Sequence, residues 1–251
     1  MIDLPYDATT ILLIAVIILG ATALSVVAGF GLGAVAVPML LLLLPPPLVV
    51  TIIKVVGTGT VWIALIAIWR HIQWRTIVRI LPAAFAGLIV GGFILREANP
   101  AMIQLGVGVL VLISALTLIM RPILIERESL WATSLVGFLT GVMGNAAGLL
   151  APAVVVYFTG RQFSRDVFRA TTLMLFLIVE LVGLPVLAVQ GSVSMSDFQV
   201  ALLLLPVAVA GRVLGVWLAR RVSQPAFRRL TILLLFAMAA LSIVSAVQVL
   251  T

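Results

Sequence analysis

Seven stretches of this chain, at about 8–29, 48–70, 76–95, 101–120, 167–189, 198–219 and 230–250, are apolar over nearly their whole length. A helix crosses the hydrocarbon core of a bilayer with about 20 such residues. A water-soluble fold would have to hide all seven from solvent at once. The composition closes off that route: 64% of residues are hydrophobic and 9% are charged, against about 25% charged in a soluble domain. The polar connections between the runs are short, so there is no room for a separate soluble domain. The sequence therefore reads as an all-α integral membrane protein, one transmembrane domain over residues 1–251.

Several functions are excluded early. There are no cysteines among the 251 residues, so disulfides, thiolate metal sites and a cysteine nucleophile are ruled out. The net charge is +7, but the basic residues sit at the ends of apolar runs, as the positive-inside rule requires. Nucleic-acid binding is therefore not expected. Asp3 and Asp7 precede the first run without an early Lys or Arg, so that segment reads as retained rather than as a cleaved signal. Gly29, Gly31 and Gly33 lack the strand, the spacing and the acidic partner of a nucleotide-binding loop. His71, beside Arg70, Gln73 and Trp74, reads as a solvated interfacial residue. Trp62, Trp69, Trp74, Trp131 and Trp217 mostly lie near run ends, as an aromatic belt requires. No paired carboxylates, HExxH motif or Ser–His–Asp set is present. Neither an enzyme nor a cofactor or metal is expected.

The chain also repeats itself. Residues 81–94 (LPAAFAGLIVGGFI) and 205–218 (LPVAVAGRVLGVWL) are identical at six of fourteen positions, at an offset of 124. Pro100-Ala101 matches Pro225-Ala226 at an offset of 125, and Pro38 matches Pro152 at 114. The expectation is two homologous halves, about 1–122 and 129–251. Each half contains a glycine-dense stretch. The first enters through Gly29–Gly33 and leaves through Pro45-Pro46-Pro47. The second is expected to be interrupted across Gly141–Gly148, with Pro152 beyond. Such breaks free backbone groups, which in lipid must be buried in protein or face a wet cavity. Gly87/Gly91 and Gly211/Gly215, four apart, read as close-packing positions.

If each broken piece dips in and returns, 12 of the 15 Lys and Arg residues fall on one side. They are Arg70, Arg75, Arg79, Arg121, Arg127, Arg161, Arg165, Arg169, Arg220, Arg221, Arg228 and Arg229; Arg96 alone lies opposite. The basic side is then cytoplasmic and both termini are outside. The halves become inverted-topology repeats, an architecture whose substrate sites lie near the midplane, between broken helices.

Charged groups at membrane depth are functional candidates by default. Lys54 lies inside its run, with Thr58 on the same helical face. Arg169 stands at the matching place in the second half, at an offset of 115. Two cations just after broken helices suit an anion, and open amides at half-helix N-termini add to that field. The plainer alternative is that Lys54 snorkels to the interface and Arg169 is one more positive-inside charge. Asn145 either donates to a substrate oxygen or caps a helix end. Glu180 and Arg212 read as an ion pair, with a proton-coupling role for Glu180 as the other option.

The stretch Gly31-Leu-Gly33-Ala-Val-Ala-Val37-Pro38-Met-Leu resembles the first-repeat motif of the sulfite exporter TauE/SafE family, also called the 4-toluene sulfonate uptake permease family. Gly141-Val-Met-Gly144-Asn145-Ala-Ala-Gly148-Leu-Leu-Ala-Pro152, with Phe168-Arg169-Ala170-Thr171-Thr172 after it, resembles the second. The second break here carries Asn145-Ala146-Ala147, where family members often have a denser glycine run. The resemblance covers nearly the whole chain. It implies about eight helical segments, a bacterial-type inner membrane, and transport of sulfite, sulfoacetate or another organosulfonate. A sulfonate is a compact anion with three acceptor oxygens. The candidate substrate-binding set is Gly31, Gly33, Lys54, Thr58, Gly144, Asn145, Gly148, Arg169 and Thr172, with Glu180 and Arg212 as coupling group or ion pair. The leading reading is a secondary transporter of a small sulfur-containing anion in contact with lipid, with room for a homodimer. Its rivals are an anion channel, a non-transporting scaffold, and a proton- or cation-coupled carrier of another small organic anion.

Overall fold

The computed structural model describes residues 7–28, 32–119, 129–219 and 224–250. Among these every regular element is helical. In chain order they are α1 (Ala8–Ala28), α2 (Leu32–Leu40), α3 (Pro46–Ile68), α4 (Trp74–Glu97), α5 (Pro100–Ile119), α6 (Leu130–Ala147), α7 (Ala151–Gly160), α8 (Arg165–Val189), α9 (Met195–Leu203), α10 (Leu205–Ala219) and α11 (Gln224–Leu250). A single 3-10 turn, Trp69–His71, links α3 to α4. Helices α1, α3, α4, α6 and α8 are long and apolar enough to cross a membrane. Helices α9 and α10, bent by 41° about Leu204, make a sixth span if taken together. The run expected as one span over 198–219 is thus divided. Pro206 takes the second position of α10, where its missing N–H costs no helical bond. Its sequence counterpart Pro82 lies inside a continuous α4.

The expectation for Gly141–Gly148 needs correction. Helix α6 continues through Gly141 and Gly144 and stops only at Gly148. Gly148 adopts φ 69°, a left-handed conformation that favours glycine. Its N–H donates to the Gly144 carbonyl at 3.2 Å, and the Leu149 N–H reaches back to the Met143 carbonyl at 3.1 Å. The first is the bond of an αL helix end, and the second adds a longer reach to the carbonyl one residue further back. The earlier glycines have a different purpose. A methyl group at Gly137 would strike the Ile80 carbonyl, and one at Gly141 the Ala84 carbonyl, both on α4. These glycines let two backbones touch. High glycine density therefore encodes close approach over most of α6 and a break only at its end.

The same device recurs from the other side. On α4, Gly87 and Gly91 face the carbonyls of Phe138 and Val142 on α6. On α10, Gly211 and Gly215 face the carbonyls of Leu19 and Ala23 on α1. The packing of the helices follows: α4 lies along α6, α1 along α10, α5 along α11, and α3 against α8 and α9. Each partnership joins an element before residue 122 to one after 129. Two buried apolar clusters result. One is built largely on α1, α2, α5 and the first half of α3. The other is built on the end of α3 with α4, α7 and α8.

Replacing Gly141 with Ala should lower the unfolding midpoint in detergent, because overpacking a backbone contact costs about 1–3 kcal/mol. Gly20→Ala, where nothing lies within 4 Å of the new methyl, should leave it unchanged or slightly raised. Thermal unfolding followed by light scattering compares the two; equal midpoints would contradict the close-packing role.

Candidate functional site

A cavity of about 70 Å³ opens where the two apolar clusters meet. A buried water needs roughly 10–15 Å³ on this measure, so the space holds several waters or one small oxyanion. Its wall is built in a regular way. From α8 come Arg169, Leu173, Phe176 and Glu180, spaced as one face of a helix. From α3 come Ile53, Gly57, Val61 and Ala64, again a single stripe. Helix α10 contributes Arg212, and the end of α1 contributes Ser25 and Val26.

The remaining wall comes from the two short helices. Leu32, Gly33 and Ala34 are the first turn of α2, and Ala151 is the first residue of α7. First-turn amides have no partner within their own helix and carry the positive end of its dipole. Both N-termini thus open on the same space. Between them Gly33 lies against the carbonyl of Gly148, closer than any side chain would permit. The contact requires glycine at Gly33, the left-handed φ favours it at Gly148, and both residues line the wall.

The charges at this depth form one group. Arg212 is 6% exposed; its Nη2 donates to the Thr60 hydroxyl at 3.0 Å. That hydroxyl in turn donates to the Val56 carbonyl at 2.7 Å, so its orientation is fixed. Glu180 is buried, with the Thr58 hydroxyl donating to Oε2 at 3.5 Å. A methyl at Gly57 would come within 2.5 and 2.7 Å of the two carboxylate oxygens, so the absent side chain makes room for the carboxylate. Lys54 and Arg212 both interact electrostatically with Glu180, and Arg169 with Arg212. Glu180 and Arg212 face the same cavity without closing a direct ion pair among the described residues. Arg169 Nε is buried without a hydrogen-bond partner. Two cations, Lys54 and Arg212, thus act on one carboxylate, and Arg169 stands next to Arg212.

Lys54 sits elsewhere than the wall. It is 1% exposed, so it does not snorkel to an interface. One residue further along α3 than Ile53, it is turned about 100° from the lining stripe. Its Nζ has no hydrogen-bond partner, and neither has Asn145 Oδ1. Each lies 2.6 Å from where a methyl at Gly183 would stand, so the two share one small space against α8. Asn145 is wholly buried and donates through Nδ2 to the carbonyls of Leu88 at 2.9 Å and Gly183 at 3.4 Å. It ties α6 to α4 and α8. Thr172 is buried with a free hydroxyl, and Gly144 packs against Leu150. Of the sequence candidates, the cavity wall gathers Gly33, Gly148, Arg169, Glu180 and Arg212. Lys54, Thr58, Gly144, Asn145 and Thr172 lie behind or beside it, and Gly31 falls outside the described residues. Gly57 and Ser25 were missed. The spacing Ile53, Gly57, Val61 was the available signal for Gly57, since it marks the stripe next to that of Lys54.

A family model, Sulfite exporter TauE/SafE, matches residues 13–242. No curated protein and no solved structure matches the chain. With nearly its whole length matched, the chain belongs to the sulfite exporter TauE/SafE family and is a multi-pass membrane protein of a transporter family.

Asn145→Ala removes the donor that joins three helices. It should cost about 1–3 kcal/mol of stability, the range for breaking a buried polar contact. Thermal unfolding in detergent measures this, and a midpoint equal to that of the unaltered protein would exclude the bridging role.

Proposed function

We propose that the chain is a secondary transporter of a small sulfur-containing anion, bound in the cavity between α2, α3, α7 and α8. The observation that carries this reading is the composition of the cavity wall. Two arginines, Arg169 and Arg212, and two helix N-termini converge on a space of about 70 Å³. With Lys54 nearby, the site holds an excess of positive charge that an anion would balance. Guanidinium groups match the geometry of oxyanions, offering two parallel donors to paired oxygens. First-turn amides of α2 and α7 would supply further donors to a sulfonate or sulfite oxygen. Membership of the family supports a sulfur anion over other anions of similar size.

The architecture is read as two inverted halves, about 1–122 and 129–251, with short broken helices meeting at the centre. Partnered packing of α1 on α10 and α4 on α6 supports it, as do the matched glycines Gly87/Gly91 and Gly211/Gly215. In this reading the basic ends face the cytoplasm, the termini face outward, and the protein resides in a cell inner membrane. A small, mainly apolar cavity with few charges suits a carrier, which must release its cargo, better than a wide conducting pore.

In proteoliposomes the unaltered protein should show saturable, counter-transportable flux of at least one of sulfite, thiosulfate, sulfoacetate or taurine, and none of carboxylate controls. Arg169→Ala should reduce that flux at least tenfold while leaving the protein monodisperse in detergent. Flux confined to carboxylates would overturn the sulfur reading, and large unitary currents would overturn the carrier.

A further inference from the structure

The geometry points to Lys54 and Glu180 as a proton-binding pair that takes up one proton when the cavity receives its anion. This inference rests on the anion reading of the cavity and deepens it. Glu180 is the only carboxylate among the described residues of the wall, and Lys54 is a buried cation whose ammonium has no hydrogen bond. The two interact electrostatically across α3 and α8, yet no direct ion pair locks them together. Gly57 and Gly183 leave the space that these two side chains occupy.

The surroundings isolate the pair. From α3 Glu180 faces Lys54 and the Thr58 hydroxyl, and from α10 it faces Arg212. On its own helix the nearest charge is Arg169, which reaches it through Arg212. Helices α6 and α7 carry no charged residue. Those of α4, Arg75, Arg79, Arg96 and Glu97, stand near its ends and do not act on Glu180. With one proton between them, carboxylate and amine carry no net charge. With two, as ammonium and carboxylic acid, they carry +1. An anion entering the cavity repels the carboxylate and attracts the ammonium, so both effects favour the second proton. The proton comes from the adjacent water phase and is returned when the anion leaves. By reciprocity, protonation tightens anion binding by the same factor. A group of this kind titrates as a pair rather than as two separate residues. Cargo and proton then travel together, and an acid gradient drives the anion in the direction of proton flow.

The test compares the unaltered protein with the double substitution Lys54→Met and Glu180→Gln, which leaves neither charge unpartnered. Both are reconstituted in vesicles holding a pH-sensitive dye and supplied with sulfite, thiosulfate or methanesulfonate. The unaltered protein should carry one more proton per anion than the double variant, whose flux no longer responds to an imposed pH gradient. Sulfite's own titration cancels in that difference. Equal proton counts would overturn the proposal. If the double variant gives no folded protein or no flux, the unaltered protein decides alone. Thiosulfate or methanesulfonate, added in weakly buffered detergent, should draw protons from solution on binding, and binding without uptake overturns the inference. Failure of the unaltered protein to bind or carry any sulfur anion overturns the cavity reading and this one together, an outcome distinct from anion flux without protons.

Discussion

A charge or an unmet backbone group in hydrocarbon costs several kcal/mol, and the protein meets that cost by gathering such groups in one place. Arg169, Glu180 and Arg212 share a cavity with the first turns of α2 and α7, and Lys54 lies directly behind it. Elsewhere at membrane depth, hydroxyls return their hydrogen to a carbonyl a turn back, as those of Thr51 and Thr140 do. Such residues ask nothing of their neighbours. The charged group does, and it fixes which faces of α3, α8 and α10 turn inward.

Bringing those faces together depends on glycine. Lipid gives little hydrophobic drive for one apolar helix to join another, so close van der Waals contact has to hold them. Gly137 and Gly141 on α6 interlock with Gly87 and Gly91 on α4, and Gly211 and Gly215 on α10 receive the carbonyls of α1. The site is thus suspended between two tight helix pairs. Those supports rest mainly on backbone contact, with Asn145 adding a polar tie from α6 to α4.

Much of this was legible in the sequence. Hydrophobic runs gave the helices to within a few residues, and the rarity of charge singled out Arg169, Glu180 and Arg212. Glycine was harder to read. The same residue marks a break at Gly148 and a close approach at Gly141, and only the neighbouring chain distinguishes them. Helical spacing correctly placed Lys54 and Thr58 on one face, but could not say which face lines the cavity. A rotation of about 100° per residue separates Lys54 from the stripe through Ile53 and Gly57. The bend at Leu204 was also hidden, since Pro82 and Pro206 look alike in sequence and only the second opens a new helix.

The contact between Gly33 and the Gly148 carbonyl bears on movement as well as on shape. Packed side chains resist relative motion because their rotamers interlock and must be released together. Here α2 and the end of α6 approach main chain to main chain, with the Leu149 and Val37 side chains packed around the contact. Any turn of one segment on the other must therefore carry the Leu149 and Val37 side chains with it.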